Sequence, residues 1–166
     1  MKKIGLYPGT FDPITLGHVD IIRRAALVVD ILYVGIAVNK NKITLFSSDE
    51  RAEIVKKSLN NSLKSTSNIK VVTFDTLTVN YCKKIKASII FRGLRVVTDF
   101  EYEFQLAGMN NRLEGKIQTI FLMADIENQL ISSNMVKEIA ELGGNVSKFA
   151  PKEAIVYLNK KFKNKK

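Results

Sequence analysis

Five short apolar runs recur along the chain, at about residues 3–7, 31–38, 70–74, 88–91 and 117–123. They show little polar alternation, which predicts strands covered on both faces and hence a parallel sheet. Between them the apolar spacing becomes helical. The first predicted helix runs from about Gly17 to Val29. The second starts at Ser47, where Ser47 and Glu50 form a capping-box pattern. The third covers about Val79 to Lys86. The fourth starts at a second such pattern, Thr98 with Glu101, and runs to about Glu114. The fifth follows Ser132-Ser133 and stops at Gly143-Gly144, a C-cap signal. A last helix begins at Pro151, a residue favoured in the first turn. Strands alternating with helices predict an α/β fold built on a doubly wound sheet. No internal repeat or interdomain linker interrupts the pattern, so residues 1–166 are expected to form one domain, with a basic tail at about 159–166.

The join between the first strand and first helix is the most chemically pointed segment. It reads Tyr7-Pro8-Gly9-Thr10-Phe11-Asp12-Pro13-Ile14-Thr15-Leu16-Gly17-His18. A strand, a Gly/Pro turn and a helix start aim backbone N–H groups and a helix N-terminus at an anion. His18, the only histidine, stands on that first helical turn. A lone histidine is more often a surface or satisfied core residue. Here no apolar stripe needs an imidazole, and polar residues surround the turn, which favours phosphate chemistry. The spacing of Gly5, Gly9 and Gly17 does not supply G-x-G-x-x-G, so a nicotinamide enzyme is disfavoured.

Composition narrows the partners. Apolar residues make up 46%, enough for an ordinary core, but no run reaches membrane-spanning length. The first apolar stretch meets Pro8 and Gly9 too soon for a signal peptide and reads as a buried strand. A single cysteine, Cys82, excludes an intramolecular disulfide framework; it reads as a small core or helix residue, and a reducing cytoplasm is the default expectation. The net charge of +10 invites a nucleic-acid reading, yet the last 19 residues carry seven lysines against one glutamate. A lysine-rich end of that kind is usually a solvated tail, so nucleic acid is not an expected partner.

Thr15-Leu16-Gly17-His18 matches the (H/T)xGH motif of the nucleotidylyltransferase superfamily. The longer run from Tyr7 to His18 resembles that of the bacterial phosphopantetheine adenylyltransferases. Two further blocks carry the same resemblance in the same order. One is Phe91-Arg92-Gly93-Leu94-Arg95 with Asp99 to Ala107, Met109 and Asn110; the other is Ile131 to Lys137. The similarity covers about residues 3–158. It implies a Rossmann-like nucleotidylyltransferase fold with strand order 3-2-1-4-5. It also implies transfer of AMP from ATP to 4′-phosphopantetheine, giving dephospho-coenzyme A and pyrophosphate in coenzyme A biosynthesis. Further implications are magnesium entering with ATP, feedback binding of coenzyme A, and a homohexamer. No dedicated carboxylate cage is evident, so no protein metal ligand is assigned, and Asp12 reads as a turn former.

The attacking phosphate is already ionised at neutral pH, so catalysis is expected from positioning and from donors rather than from a general base. By the resemblance His18, Thr10, Lys42 and Arg92 are the catalytic set. His18 donates to the α-phosphate, Thr10 lies between the reacting phosphates, and Lys42 and Arg92 meet the acceptor phosphate. ATP is expected against Thr10, Phe11, His18, Gly93, Leu94, Arg95, Glu103, the segment Asn128, Gln129, Leu130 and Ile131, and Ser132, Ser133 and Asn134. Phosphopantetheine is expected against Thr10, Lys42, Thr78, Arg92, Leu106 and Asn110. Bland roles stand beside several of these. Lys42 fits a solvated loop, Arg92 a strand-end charge, Ser132 a simple N-cap, and Tyr102, Leu106, Met109 and Leu113 a core stripe. The sequence departs from the family pattern near Lys40 and at Thr78, Asn128 and Asn134. Three alternatives stay open at this stage: another nucleotidylyltransferase acting on a different phosphate, a basic nucleic-acid module, and an inactive nucleotide-binding relative.

Overall fold

The computed structural model describes residues 2–39 and 41–163. Lys40 and the last three residues of the basic tail lie outside the described residues. Five strands, β1 (Ile4–Gly9), β2 (Ile31–Ala37), β3 (Ile69–Phe74), β4 (Ile89–Leu94) and β5 (Gln118–Met123), form one parallel sheet. Their order is β3-β2-β1-β4-β5, the order the resemblance implied. Among the described residues, six α-helices connect and cover them: α1 (Leu16–Ala26), α2 (Ser48–Ser62), α3 (Thr78–Ile85), α4 (Val97–Leu113), α5 (Ser133–Glu141) and α6 (Lys152–Lys163).

The pleat divides the core in two. Tyr7, Val34, Ile36 and Phe91 pack with Ile22 of α1, Ile54 and Leu59 of α2, Val136 of α5 and Leu158 of α6. Leu6 and Ile90, one residue earlier on their strands, face the other way onto Val79 and Cys82 of α3. Successive strand residues point to opposite faces, and both faces are covered, which explains the unbroken apolar runs. Cys82 is fully buried, and burial pushes its thiol up to about 12; it is a core residue. Among the described residues, no helix is long and apolar enough to cross a membrane.

Several helix ends follow the local signals. Ser47 caps α2 through the reciprocal box with Glu50: the Ser47 hydroxyl accepts from Glu50 N at 3.2 Å, and the Glu50 carboxylate accepts from Ser47 N at 2.8 Å. At the end of α5, Gly143 turns left-handed (φ 82°). Gly144 N donates to Ile139 O and Gly143 N to Ala140 O, closing a Schellman motif. Two boundaries differ from the sequence expectation. Helix α1 ends at Ala26 rather than Val29, because Leu27 N and Val28 N turn back onto carbonyls three residues earlier. Asn68 Nδ2 then takes the freed carbonyls of Ala26 and Val29. Helix α4 starts after Val96, not at a Thr98 cap, and has no side-chain cap. Asp99, at the third helical position, reaches back to Arg95 N at 3.2 Å instead.

Helix α4 is unusual in what it hides. Its buried residues are Glu103 and Asn110, while Phe100, Tyr102, Phe104, Met109 and Leu113 are exposed. The core stripe weighed as the bland alternative for this helix does not form: Tyr102, Met109 and Leu113 lie on the surface of the chain.

Candidate functional site

The strand order reverses between β1 and β4. Sheets of this kind leave a crevice there, beyond the carboxyl ends of the strands. Here that crevice is a cleft of about 340 Å³ lined from β1, the β1–α1 turn, the end of β4 and the start of α5, with Lys42 reaching in from the loop after β2.

The turn is held by its own side chains. Phe11 is an aromatic residue at φ 49°, a conformation that costs a non-glycine residue roughly 1–2 kcal/mol. It is kept there by burial between Tyr7 and His18, with ring centroids at 5.6 and 5.1 Å in edge-on contact. Gly9 is needed beneath it, since a Cβ there would lie 2.8 Å from the Phe11 ring. Asp12 is almost fully buried and saturated. Its Oδ1 accepts from Phe46 N at 3.0 Å, and its Oδ2 from Leu45 N at 2.9 Å and Lys137 Nζ at 2.8 Å. Ser133 Oγ donates to Pro13 O at 2.8 Å, docking α5 on the same turn.

Thr15 and His18 form the N-terminal box of α1. Thr15 N donates to His18 Nδ1 at 3.0 Å, and the Thr15 hydroxyl lies 2.9 Å from that same nitrogen. Nδ1 is thereby an acceptor. The neutral ring carries its proton on Nε2, which has no hydrogen-bond partner among the described residues. Burial, then the guanidinium charges of Arg95 and Arg92, bring the His18 pKa down from 6.5 to about 4. In the free protein at neutral pH, His18 is a neutral donor.

Lys42 Nζ donates to Thr10 Oγ1 at 3.1 Å. An ammonium can only donate, so the Thr10 hydroxyl accepts there and keeps its own proton for another partner. Arg92 pairs with Glu103 in a bidentate fork along one guanidinium edge: Nε donates to Oε2 at 2.6 Å and Nη2 to Oε1. Its Nη1 donates to Pro8 O at 3.0 Å. Burial opposes the Arg92 charge, but the Glu103 hydrogen bonds and charge outweigh it and the shift is upward. Arg95 forks onto Asp99 at 3.0 and 3.1 Å and reaches Ile131 O at 3.1 Å. Ser132 Oγ accepts from Met135 N as the α5 cap.

Of the residues singled out in the sequence, Thr10, Phe11, His18, Lys42, Arg92, Gly93, Arg95, Glu103, Ile131, Ser132, Ser133 and Asn134 line the cleft. Leu94 is buried behind it. Asn128 ends a 3-10 turn, with Gln129 and Leu130 following, and these three lie outside the lining. Thr78 starts α3, and Leu106 and Asn110 continue along α4 from Glu103, also outside it. Lys137 pairs with Asp12 rather than facing the cleft as a free charge. The sequence reading missed Tyr7, Thr15, Ile21, Asp99 and Ala124 in the lining, and Arg51 beneath it. Two of these left a trace. Asp99 lies four residues after Arg95, an ion-pair spacing. Arg51 shares the buried stripe of α2 with Ile54, Val55, Ser58 and Leu59.

Fold and cleft together define a doubly wound α/β protein with a cation-lined site at its topological switch point. Residues 6–139 match the family described as Cytidylyltransferase-like. The phosphopantetheine adenylyltransferase of Pelagibacter ubique is 52% identical over 163 residues, covering 98% of this chain and 99% of its own. The enzyme of that name from Lachnoclostridium phytofermentans is 46% identical over 164 residues, covering 99% and 98%. A solved structure, the lipopolysaccharide core biosynthesis protein of Thermoplasma volcanium, superposes with a TM-score of 0.53 at 21% identity, over 75% of this chain and 98% of that one; that likeness concerns the fold alone. The chain belongs to the cytidylyltransferase-like family and, within it, to the phosphopantetheine adenylyltransferases, a group of nucleotidyltransferases.

The low His18 pKa has a consequence for stability. The folded ligand-free protein resists protonating this ring, whereas the unfolded chain protonates it near 6.5. His18 therefore favours folding above about 6.5, and that contribution is lost as the pH falls towards about 4. Unfolding titrations of the wild type and His18→Gln should show their stability difference moving against the wild type as the pH drops from 7 to 5. Parallel curves would contradict a neutral imidazole in the folded protein.

Proposed function

We propose that this chain transfers the adenylyl group of ATP to 4′-phosphopantetheine, producing dephospho-coenzyme A and pyrophosphate. The observation that carries this reading is the convergence of Thr10, His18, Lys42 and Arg92 on one cleft, each with donor hydrogens and without a nucleophile–base pair among them. Such a set suits in-line attack by an ionised phosphate. An oxygen of the acceptor phosphate bonds to the α-phosphorus of ATP, and the bond from that phosphorus to the oxygen leading to the β-phosphate breaks. Pyrophosphate leaves with that electron pair.

In this reaction no proton has to be removed from the nucleophile. The task is to bring two anions together and to stabilise the charge on the equatorial oxygens. His18 Nε2–H donates to an α-phosphate oxygen, its direction fixed by Thr15. The Thr10 hydroxyl donates between the two phosphates, while Lys42 offsets charge from the acceptor side. Arg92 is held flat by Glu103 and presents its remaining N–H groups to the acceptor phosphate. Arg95 and the α5 N-terminus at Ser132 and Ser133 face the ATP phosphates. Phosphopantetheine extends along α4 past Leu106 and Asn110 towards Thr78.

Magnesium enters as the ATP complex. The cleft carboxylates Asp12, Asp99 and Glu103 already bond Lys137, Arg95 and Arg92, which supports an ion carried on phosphate oxygens with its own waters. Coenzyme A shares the shape of dephospho-coenzyme A, the product, and binds the same cleft. Self-association is supported by exposed apolar side chains on both flanks of α4, Phe100 and Phe104 on one and Met109 and Leu113 on the other, which neighbouring copies would cover; the family resemblance makes the assembly a homohexamer.

Pyrophosphate release from ATP and magnesium should require 4′-phosphopantetheine, with nicotinate mononucleotide giving none. Absence of release from folded protein that binds ATP would contradict the reaction. His18→Ala should lower turnover by roughly 10²–10³-fold in protein that is still folded at the assay temperature, the loss typical of a transition-state donor. Unchanged turnover would remove His18 from the mechanism. Light scattering should give the mass of six chains; a monomer would contradict the assembly.

A further inference from the structure

Arg51 is a buried cation that the reaction as described does not use. It stands on the inner face of α2, 3% exposed, with apolar residues one turn further along the same stripe. Its Nη1 donates to Thr10 O at 2.6 Å and to Ala37 O at 3.2 Å, and its Nε is buried without a partner among the described residues. Burial works against its charge, and Asp12 is the carboxylate that opposes this effect. An apolar side chain would fill the stripe without the several kcal/mol that desolvating an ion costs.

The two acceptors explain the placement. The β1–β2 ladder ends at Gly9 opposite Ile36; the next residues are Thr10 and Ala37. Their carbonyls would be left without ladder partners where the strands part to open the cleft. The guanidinium fills that gap and bridges both. Thr10 thus has its carbonyl fixed from below by Arg51 and its hydroxyl from above by Lys42. Lys42 itself lies on the loop leaving Ala37.

We infer that Arg51 is a positioning residue: by bonding the carbonyls of Thr10 and Ala37 it sets the direction of the Thr10 hydroxyl for the reaction. This rests on the adenylyl-transfer reading only in its kinetic arm. A buried charge that served packing alone would lower stability when removed, with the same proportional effect on any variant. A positioning charge acts through Thr10 and loses its effect when that hydroxyl is gone.

The test is a cycle of Arg51→Met and Thr10→Val. Arg51→Met should lower kcat/KM for 4′-phosphopantetheine by about 30-fold in the wild type and by less than about threefold in Thr10→Val, with ATP affinity within about threefold. Wild-type kinetics for Arg51→Met, or the same loss in both backgrounds, would overturn the inference. An activity-independent arm follows the isotope-labelled Thr10 methyl by NMR. One sharp resonance in the wild type should move and broaden in Arg51→Met, and an unchanged resonance would overturn the inference even if the chain proved to catalyse another reaction. If Arg51→Met does not fold, Arg51→Lys is taken through the same measurements with the same readings.

Discussion

The carboxylate of Asp12 is the contact on which the site depends. It leaves the β1–α1 turn and binds two other segments at once: the chain entering α2, through Leu45 N and Phe46 N, and α5, through Lys137. A buried carboxylate costs several kcal/mol unless its lone pairs are filled by good donors. Here two amides and an ammonium fill them, and charge-assisted bonds of this kind are among the stronger ones in proteins. Without it, the chain entering α2 would be held to the turn by apolar contacts and the bonds of Lys42 and Arg51 to Thr10, and α5 by apolar contacts and the Ser133–Pro13 bond.

Around that clamp, the polar groups of the cleft are arranged before any ligand arrives. Glu103 orients Arg92, Asp99 orients Arg95, and Thr15 fixes the tautomer of His18. Each carboxylate at the site is committed to a cation, so it positions that cation instead of repelling an incoming phosphate. Among the described residues, Lys42 and Arg51 make no ion pair; they bond oxygens of Thr10 instead. The balance left over is positive, in a cleft partly screened from water, which is what bringing a phosphate monoester to a triphosphate requires.

The sheet was legible because burial on both faces writes an unbroken apolar run; four of the five runs fall within a residue or two of the strands, and the fourth stops three residues short because β4 continues through Arg92 and Gly93 to Leu94. The β1–α1 turn was legible because Gly9, Thr10 and His18 act within one short segment. So was the start of α2, since a capping box is local. The less legible parts depend on partners distant in sequence. Asp12 looked like a turn residue because its three donors lie 33 to 125 positions away. The start of α4 was misjudged because Asp99, rather than a Thr98–Glu101 pair, closes its first turn. Its apolar residues left a core stripe open as an alternative because sequence spacing cannot tell side chains that meet the core from side chains that meet solvent.

The most direct measurement is on Asp12→Asn. The amide keeps the shape but replaces one acceptor oxygen by a donor, so one of Leu45 N, Phe46 N or Lys137 must face a second donor. The account predicts a loss of about 3 kcal/mol in unfolding free energy, faster hydrogen exchange at the Leu45 and Phe46 amides, and a fall in acceptor turnover while the strand amides of β1 and β2 stay protected. Wild-type exchange at Leu45 and Phe46 together with wild-type turnover would contradict the claim that this carboxylate assembles the site.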